Sequence, residues 1–248
     1  GKTFVLTNDM DMSSVSNWQM IYNFKGTFDG QGHAIKNLKI TKTNTTDENN
    51  IPIGLFRNIL EGGSVKSLKL TNFKYTLTTS GGTTSTSYQT GALVGYARGA
   101  NISAVEVDNF TLVNNNNDKK NMVSGGIVGI MYGGTIENTS TSGTISGRWT
   151  GFAGGIAGRM AEGVVVKQVA SSMKISSTNL SPASGGSEES NCGGITALID
   201  ISASGVTYDF SDCLFNGTLS GFICAGLATN IVTYEHNYQG SVVALASD

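Results

Sequence analysis

The sequence predicts an all-β protein, a single-stranded, right-handed parallel β-helix with three short strands per coil and lateral loops on one side. Three observations predict it. A glycine-rich phrase, [GA]-[GA]-[LI]-x-[GA], recurs at residues 91–95, 125–129, 154–158 and 193–197, with weaker copies around Leu55 and Leu227. A second phrase with three apolar or small anchors, x-x-apart and then x-apart, follows each copy. Length differences between copies gather in one place, just before the glycines. Repetition at roughly 20–50 residues is the mark of a stacked architecture.

Residues 1–52 read as a lead-in and first coil. They open in a strand pattern, "KTFVLTNDMDM", and reach a turn at "FDGQGH" (28–33). Asp-Gly and Gln-Gly predict a tight turn there, with Phe28 inward, Gly30 and Gly32 at positive φ, and Asp29 bonded to nearby backbone.

Residues 53–224 carry the main coils. The anchors Leu55, Leu93, Ile127, Ile156, Ile195 and Leu227 are spaced by 38, 34, 29, 39 and 32 residues. One such coil cannot bury its own apolar side chains. Stacking sets Ile127 over Leu93 and Ile156 over Ile127, about 4.8 Å apart, with ladder hydrogen bonds between coils. The second phrase gives the next strand: Val65/Leu68/Leu70, Ile102/Val105/Val107, Ile136/Thr139/Thr141, Val166/Val169/Ser171 and Phe210/Cys213/Phe215. Ile35/Leu38/Ile40 reads as its first copy, so Leu38, Leu68, Val105, Val169 and Cys213 are expected in one column. "GTIS", "MKIS" and "GTLS" supply a third strand. Glycine suits the corners, where φ is often positive and a Cβ does not fit. The variable stretches are 41–52, 75–90, 112–123, 147–153 and 176–191; insertions at one register project from one side. Residues 225–248, with "TYEHNY", form an irregular last coil. The 248 residues read as one domain.

Composition narrows the function. Sixteen Lys and Arg face 18 Asp and Glu, a net charge of −2, which argues against nucleic acid as a partner. Charged residues are 14% of the chain, against about 25% in an average domain. No apolar run approaches the roughly 18 residues of a membrane-crossing helix.

"GALVGYARGANISAVEVDN", "GGIVGIMYGGTIENTSTSGTISG" and "GGIAGRMAEGVVVKQVA" resemble the GLUG-motif repeats of bacterial surface and secreted proteins. Residues 6–40 are similar to the lead-in that precedes such repeats. The resemblance implies an adhesin-like β-helix in a bacterial cell-surface or extracellular setting, as a monomer or part of a larger multidomain chain. Such repeats also accompany attached peptidase domains.

Few residues offer chemistry. With two histidines and no H-E-x-x-H, C-x-x-C or phosphate-binding loop, no metal or cofactor is expected. Asp9 and Asp11 in "NDMD" lack the six to eight oxygens, roughly, that a calcium ion needs. A repeat column reads Asn37, Ser67, Ala104, Asn138, Gln168, Asp212 and Glu235. Asp212 and Glu235 on adjacent coils are the candidate carboxylates of a glycan-active enzyme, glycosidase or lyase, since retaining glycosidases hold theirs about 5–5.5 Å apart. The simpler reading is an amide-rich corner that satisfies backbone groups. The loop residues Arg148, Trp149 and Phe152, with Tyr88, are the candidate ligand contacts, because arginine and aromatic rings dominate binding hot spots. Cys192 and Cys224 share a column within reach of a disulfide, but its small residues favour the simpler expectation that Cys192, Cys213 and Cys224 are free, buried thiols packed as small apolar groups. The preferred function is a non-catalytic binding or adhesion module for glycan or protein. The alternatives are the carboxylate enzyme and a structural spacer.

Overall fold

A computed structural model describes residues 1–44, 50–79, 87–115, 122–147, 151–178, 191–201, 206–221, 223–228 and 230–233. Among these residues there is no helix, and every strand pairing is parallel. The result is an all-β, solenoid-like stack of parallel strands in two sheets, one of 16 strands and one of six.

The six-stranded sheet is the row that precedes the glycines. It runs Ile51–Ile53, Tyr88–Gly91, Val123–Gly125, Phe152–Gly154, Asn191–Gly193 and Ile223–Ala225, each in register with the next. The anchor follows. Leu93 N–H donates to Ile127 O at 3.1 Å, Ile127 to Ile156 at 2.9 Å and Ile156 to Ile195 at 2.8 Å. All four anchors are buried, as stacked apolar anchors require. Beyond them lies the post-glycine row, where Val94 pairs Val128, Val128 pairs Ala157 and Ala157 pairs Thr196.

Three strands per coil undercounts the path. After the post-glycine row the chain bends three times more without leaving the sheet, so Val94–Asn114 and Val128–Gly147 are continuous strands that wrap most of a turn. A full coil therefore holds five straight segments. Residues 135–137, 139–142 and 144–147 form the third, fourth and fifth rows of one coil and pair with 165–167, 169–172 and 174–177 of the next. The bend between the third and fourth rows is made by Ser67, Ala104, Asn138, Gln168 and Asp212, all non-glycine residues with φ of 50–53°. Left-handed backbone there is forced by tertiary stacking, against the preference of Ala and Gln.

Of the two roles expected of the phrase's glycines, the structure shows the lack of room for a Cβ and not the positive φ. Gly125, Gly126 and Gly129 all have negative φ. A Cβ on Gly126 would lie 2.9 Å from Thr141 Cγ2, and one on Gly129 would lie 2.6 Å from the Thr90 nitrogen. The phrase is a pinch. It lets the pre-glycine and post-glycine backbones touch, and lets the corner lie against the small inward side chains Thr141 and Ser171. The Thr141 hydroxyl donates to Gly155 O at 2.8 Å.

The lead-in belongs to the stack. Thr3–Val5 pairs with Thr27–Asp29, which pairs with residues 64–66. This corrects the alignment of the first repeat, because Phe28, not Ile35, is the register partner of Val65, and Ile35 pairs with Leu70. The "DGQG" turn is an insertion that displaced the pattern by one row. Leu38 therefore leaves the expected column, and Thr139 enters it between Val105 and Val169. In the turn, Gln31 and Gly32 take positive φ while Gly30 does not, and the Asp29 carboxylate accepts from Gln31 N–H at 3.0 Å. Trp18 lies across the end of the first coil, its indole N–H donating to Leu55 O at 3.0 Å.

A second bend column carries a side-chain ladder. Asn109 Nδ2 donates to Asn72 Oδ1 at 2.7 Å, Asn72 to Asn37 at 3.3 Å, and Asn37 to Asp11 at 2.9 Å. Asn37 thus lies one corner away from the Ser67–Asp212 column in which the repeat alignment had put it. Residues 45–49, 80–86, 116–121, 148–150 and 179–190, outside the described residues, fall in sequence between the fifth row of one coil and the pre-glycine row of the next.

Candidate functional site

The expected ligand contacts are not brought together among the described residues. Arg148 and Trp149 lie outside them. Phe152 begins a pre-glycine strand and is half-buried, in register with Val123 and Asn191. Tyr88 is fully buried, and its hydroxyl donates to Thr78 O at 3.2 Å. Its ring fills the interior of the coil, because it falls on the inward parity of the strand. Of the two candidate carboxylates, Asp212 is an exposed corner residue at φ 53°, and Glu235 lies outside the described residues.

Several other titratable groups are engaged in structure. Asp9 pairs with Lys36 at 2.6 Å and accepts from Ala34 N–H at 3.0 Å, and His33 is its third neighbour at 3.4 Å. The Lys36 contact first, then the Ala34 bond, hold the Asp9 carboxyl down at about 2. His33 thus neighbours Asp9, while Asp29 pairs with Lys66 at 3.1 Å. Asp11 accepts from Asn37 and from Ser13 N–H, which also lowers its carboxyl. No group of three or more His, Cys, Asp or Glu placed to hold a metal occurs among the described residues.

The side chains suited to recognition lie on the post-glycine row. All three arginines among the described residues, Arg57, Arg98 and Arg159, are there. So are the four described tyrosines outside the core, Tyr22, Tyr96 and Tyr132 along the row and Tyr208 at its rim. Arg57 stacks over Tyr22, 4.9 Å from the ring centroid, and donates to its hydroxyl at 3.1 Å. One coil on, Tyr96 meets Tyr132 with centroids 5.6 Å apart and rings tilted by 39°. Tyr132 is flanked by two guanidiniums, Arg98 at 5.8 Å and Arg159 at 5.9 Å. Each of these has a carboxylate. Arg98 contacts both oxygens of Glu162, at 3.0 and 3.2 Å, and Arg159 pairs with the buried Asp200. A hydrogen bond to Tyr96 first, then the charge of Glu162, hold the Arg98 guanidinium still more firmly protonated than usual. The Tyr208 hydroxyl donates to Asp200 O. Asp200 Oδ1 and Arg159 Nε have no hydrogen-bond partner among the described residues. Buried polar atoms ordinarily find one.

Physically this row offers aromatic faces and guanidinium planes on a rigid sheet. Rows repeat about every 4.8 Å, so Arg57 to Arg159, three coils apart, spans about 14 Å. Ion pairs with Glu162 and Asp200 hold Arg98 and Arg159 beside the Tyr132 ring. The sequence carried a signal for this row that went unread: the residues one and three places after the last glycine of each phrase, Tyr96 and Arg98, then Ile130 and Tyr132, then Arg159. Elsewhere a shallow trough of about 240 Å³ crosses the fourth row, lined by Glu106, Asp108, Ser142, Ser172, Leu214 and Asn216. Its Ser142 hydroxyl is committed to Asp108 at 2.8 Å.

Neither a comparison with protein-family models nor one with curated proteins returns a match to this chain.

Proposed function

We propose that the chain is a non-catalytic binding and adhesion module of a bacterial surface or secreted protein, which contacts a glycan or a host protein. The observation that supports it most is the post-glycine row, where Tyr96, Arg98, Tyr132 and Arg159 form a contiguous aromatic and cationic surface on stacked coils. Rings and guanidiniums of this kind supply large contact area at low entropic cost. Sugar rings stack on such faces, and an arginine beside them pairs with a carboxylate of a partner or an acidic sugar. The extracellular setting rests on the resemblance to GLUG-motif repeats. Right-handed winding follows the strong preference of parallel crossovers. Arg148 and Trp149, with the half-buried strand residue Phe152, are a second contact region in this reading.

The test is binding of the purified chain to a panel of glycans and host extracellular proteins. Arg98→Ala with Tyr132→Ala is expected to weaken a bound ligand by at least about 2 kcal/mol, roughly 30-fold, with circular dichroism unchanged. Arg148→Ala with Trp149→Ala tests the second region in the same assay. A ligand that binds both double variants like the parent would overturn the assignment of these surfaces. Incubation with a panel of polysaccharides is expected to release no reducing ends or unsaturated products. Cleavage that depends on Asp212 would replace this reading with the enzyme.

A further inference from the structure

Column by column, the pre-glycine row runs Thr90, Ser124, Ala153, Cys192 and Cys224, each in register with the next. The last two are thiols stacked on adjacent parallel strands. Register neighbours in a sheet lie about 4.8 Å apart at Cα, inside the range of about 4.4–6.8 Å that a disulfide spans. The two differ in access, since Cys192 is buried and Cys224 is exposed. Exposure of Cys224 departs from the expectation of three buried thiols, and the cause is its place on the last described strand of the sheet, which has a neighbour on one side only among the described residues.

We propose that Cys192 and Cys224 are a dithiol modification site that a low-molecular-weight disulfide oxidises to an intramolecular disulfide, with Cys224 entering first and Cys192 resolving. The Cys224 thiolate attacks one sulfur of R–S–S–R. That sulfur–sulfur bond breaks, and RS⁻ leaves and takes a proton from water. Cys192 then gives its proton to solvent and attacks Cys224 Sγ in the mixed disulfide, expelling a second RS⁻. Two cysteines are oxidised by two electrons, and one R–S–S–R becomes two RSH.

Access and electrostatics assign the order. The Cys192 side chain hydrogen-bonds to Cys224 and, with the Gly221 backbone, draws the Cys224 thiol down to about 7 against the opposing effect of burial. A thiol near ambient pH is the efficient attacker in exchange. Cys213 is the internal control. It is half-buried in another column, beside Val169, and burial first, then Asp212 and Asp209, push it up to about 11.

The experiment treats the folded chain with oxidised glutathione and reads intact mass and peptide linkage. The parent is expected to lose two hydrogens, with the peptides of Cys192 and Cys224 joined and Cys213 unmodified. Cys192→Ala is expected to stop at one glutathione on Cys224. Alanine fits that position, since Ala153 occupies it one coil earlier. Cys224→Ala is expected to take up glutathione at least tenfold more slowly. The proposal is overturned if the parent remains unreacted, if it accumulates a stable glutathione adduct on Cys224 without closing, or if the linkage runs through Cys213.

Discussion

Replacing Ile156 by aspartate interrogates the stack at its centre. The side chain is fully buried between Ile127 and Ile195, and its backbone bonds to both coils at 2.9 and 2.8 Å. Losing the isoleucine's burial costs about 3 kcal/mol. Keeping the introduced carboxyl neutral at pH 7, about three units above its ordinary value, costs about 4 kcal/mol. Leaving it without a partner adds about 1–3 kcal/mol. The loss, about 8–10 kcal/mol, is comparable to the whole stability of an ordinary domain, about 5–15 kcal/mol. Ile156→Ala, which makes only a cavity, is expected to cost about 2–5 kcal/mol. Urea unfolding followed by circular dichroism measures both. The sign with pH is also determined. The introduced carboxyl has a raised folded pKa, so its penalty is absent below about pH 4 and grows as pH rises toward that folded value. Ile156→Asp should therefore be least destabilised, relative to the parent, in mild acid. A soluble Ile156→Asp variant that unfolds cooperatively at pH 7 with the parent's midpoint would refute the stacked-column reasoning.

Two further expectations concern the corners and the lead-in. Ala104 is exposed at φ 50°, where Asn138 stands one coil on, so Ala104→Asn should raise stability by about 0.5–1 kcal/mol in the same urea assay; a loss would show that the corner is not strained. Asp9, faced by Lys36, His33 and the Ala34 N–H, has its carboxyl lowered from 3.8 to about 2. A depressed carboxyl contributes stability that is present above its unfolded value and is lost as pH falls through the folded one. Carboxyl NMR should place its midpoint near 2, and Asp9→Asn should flatten the acid limb of stability in that window. A midpoint near 3.8 would show that the lead-in pairs do not persist in solution.

Particular residues show how far the sequence could be read. Leu93, Ile127, Ile156 and Ile195 were legible as a column because each repeat places its anchor at the same offset from glycines. Leu38 was misplaced because the four-residue turn after Asp29 shifts the first repeat without changing its local pattern. Tyr88 was read as a surface ring, since its neighbours are polar insertion residues, yet strand parity turns it inward. The Tyr–Arg row was missed for the converse reason. Its members are scattered through Gly-rich strands, and only stacking brings Arg98 and Arg159 to opposite sides of Tyr132.

By itself the sequence determined that coils stack, which residues stack at their centres, and where the variable stretches interrupt them. Those properties repeat along the chain and follow from local offsets. The tertiary structure alone decided which of the two glycine roles, close approach or positive φ, applies in the repeated phrase, and it is close approach. It also decided that Ala104 and Gln168 bear the left-handed bends, and which side chains share a face. Each depends on contacts between residues that are remote in sequence, such as Gly126 against Thr141 or Cys192 beneath Cys224, and those contacts exist only once the inter-coil register is set.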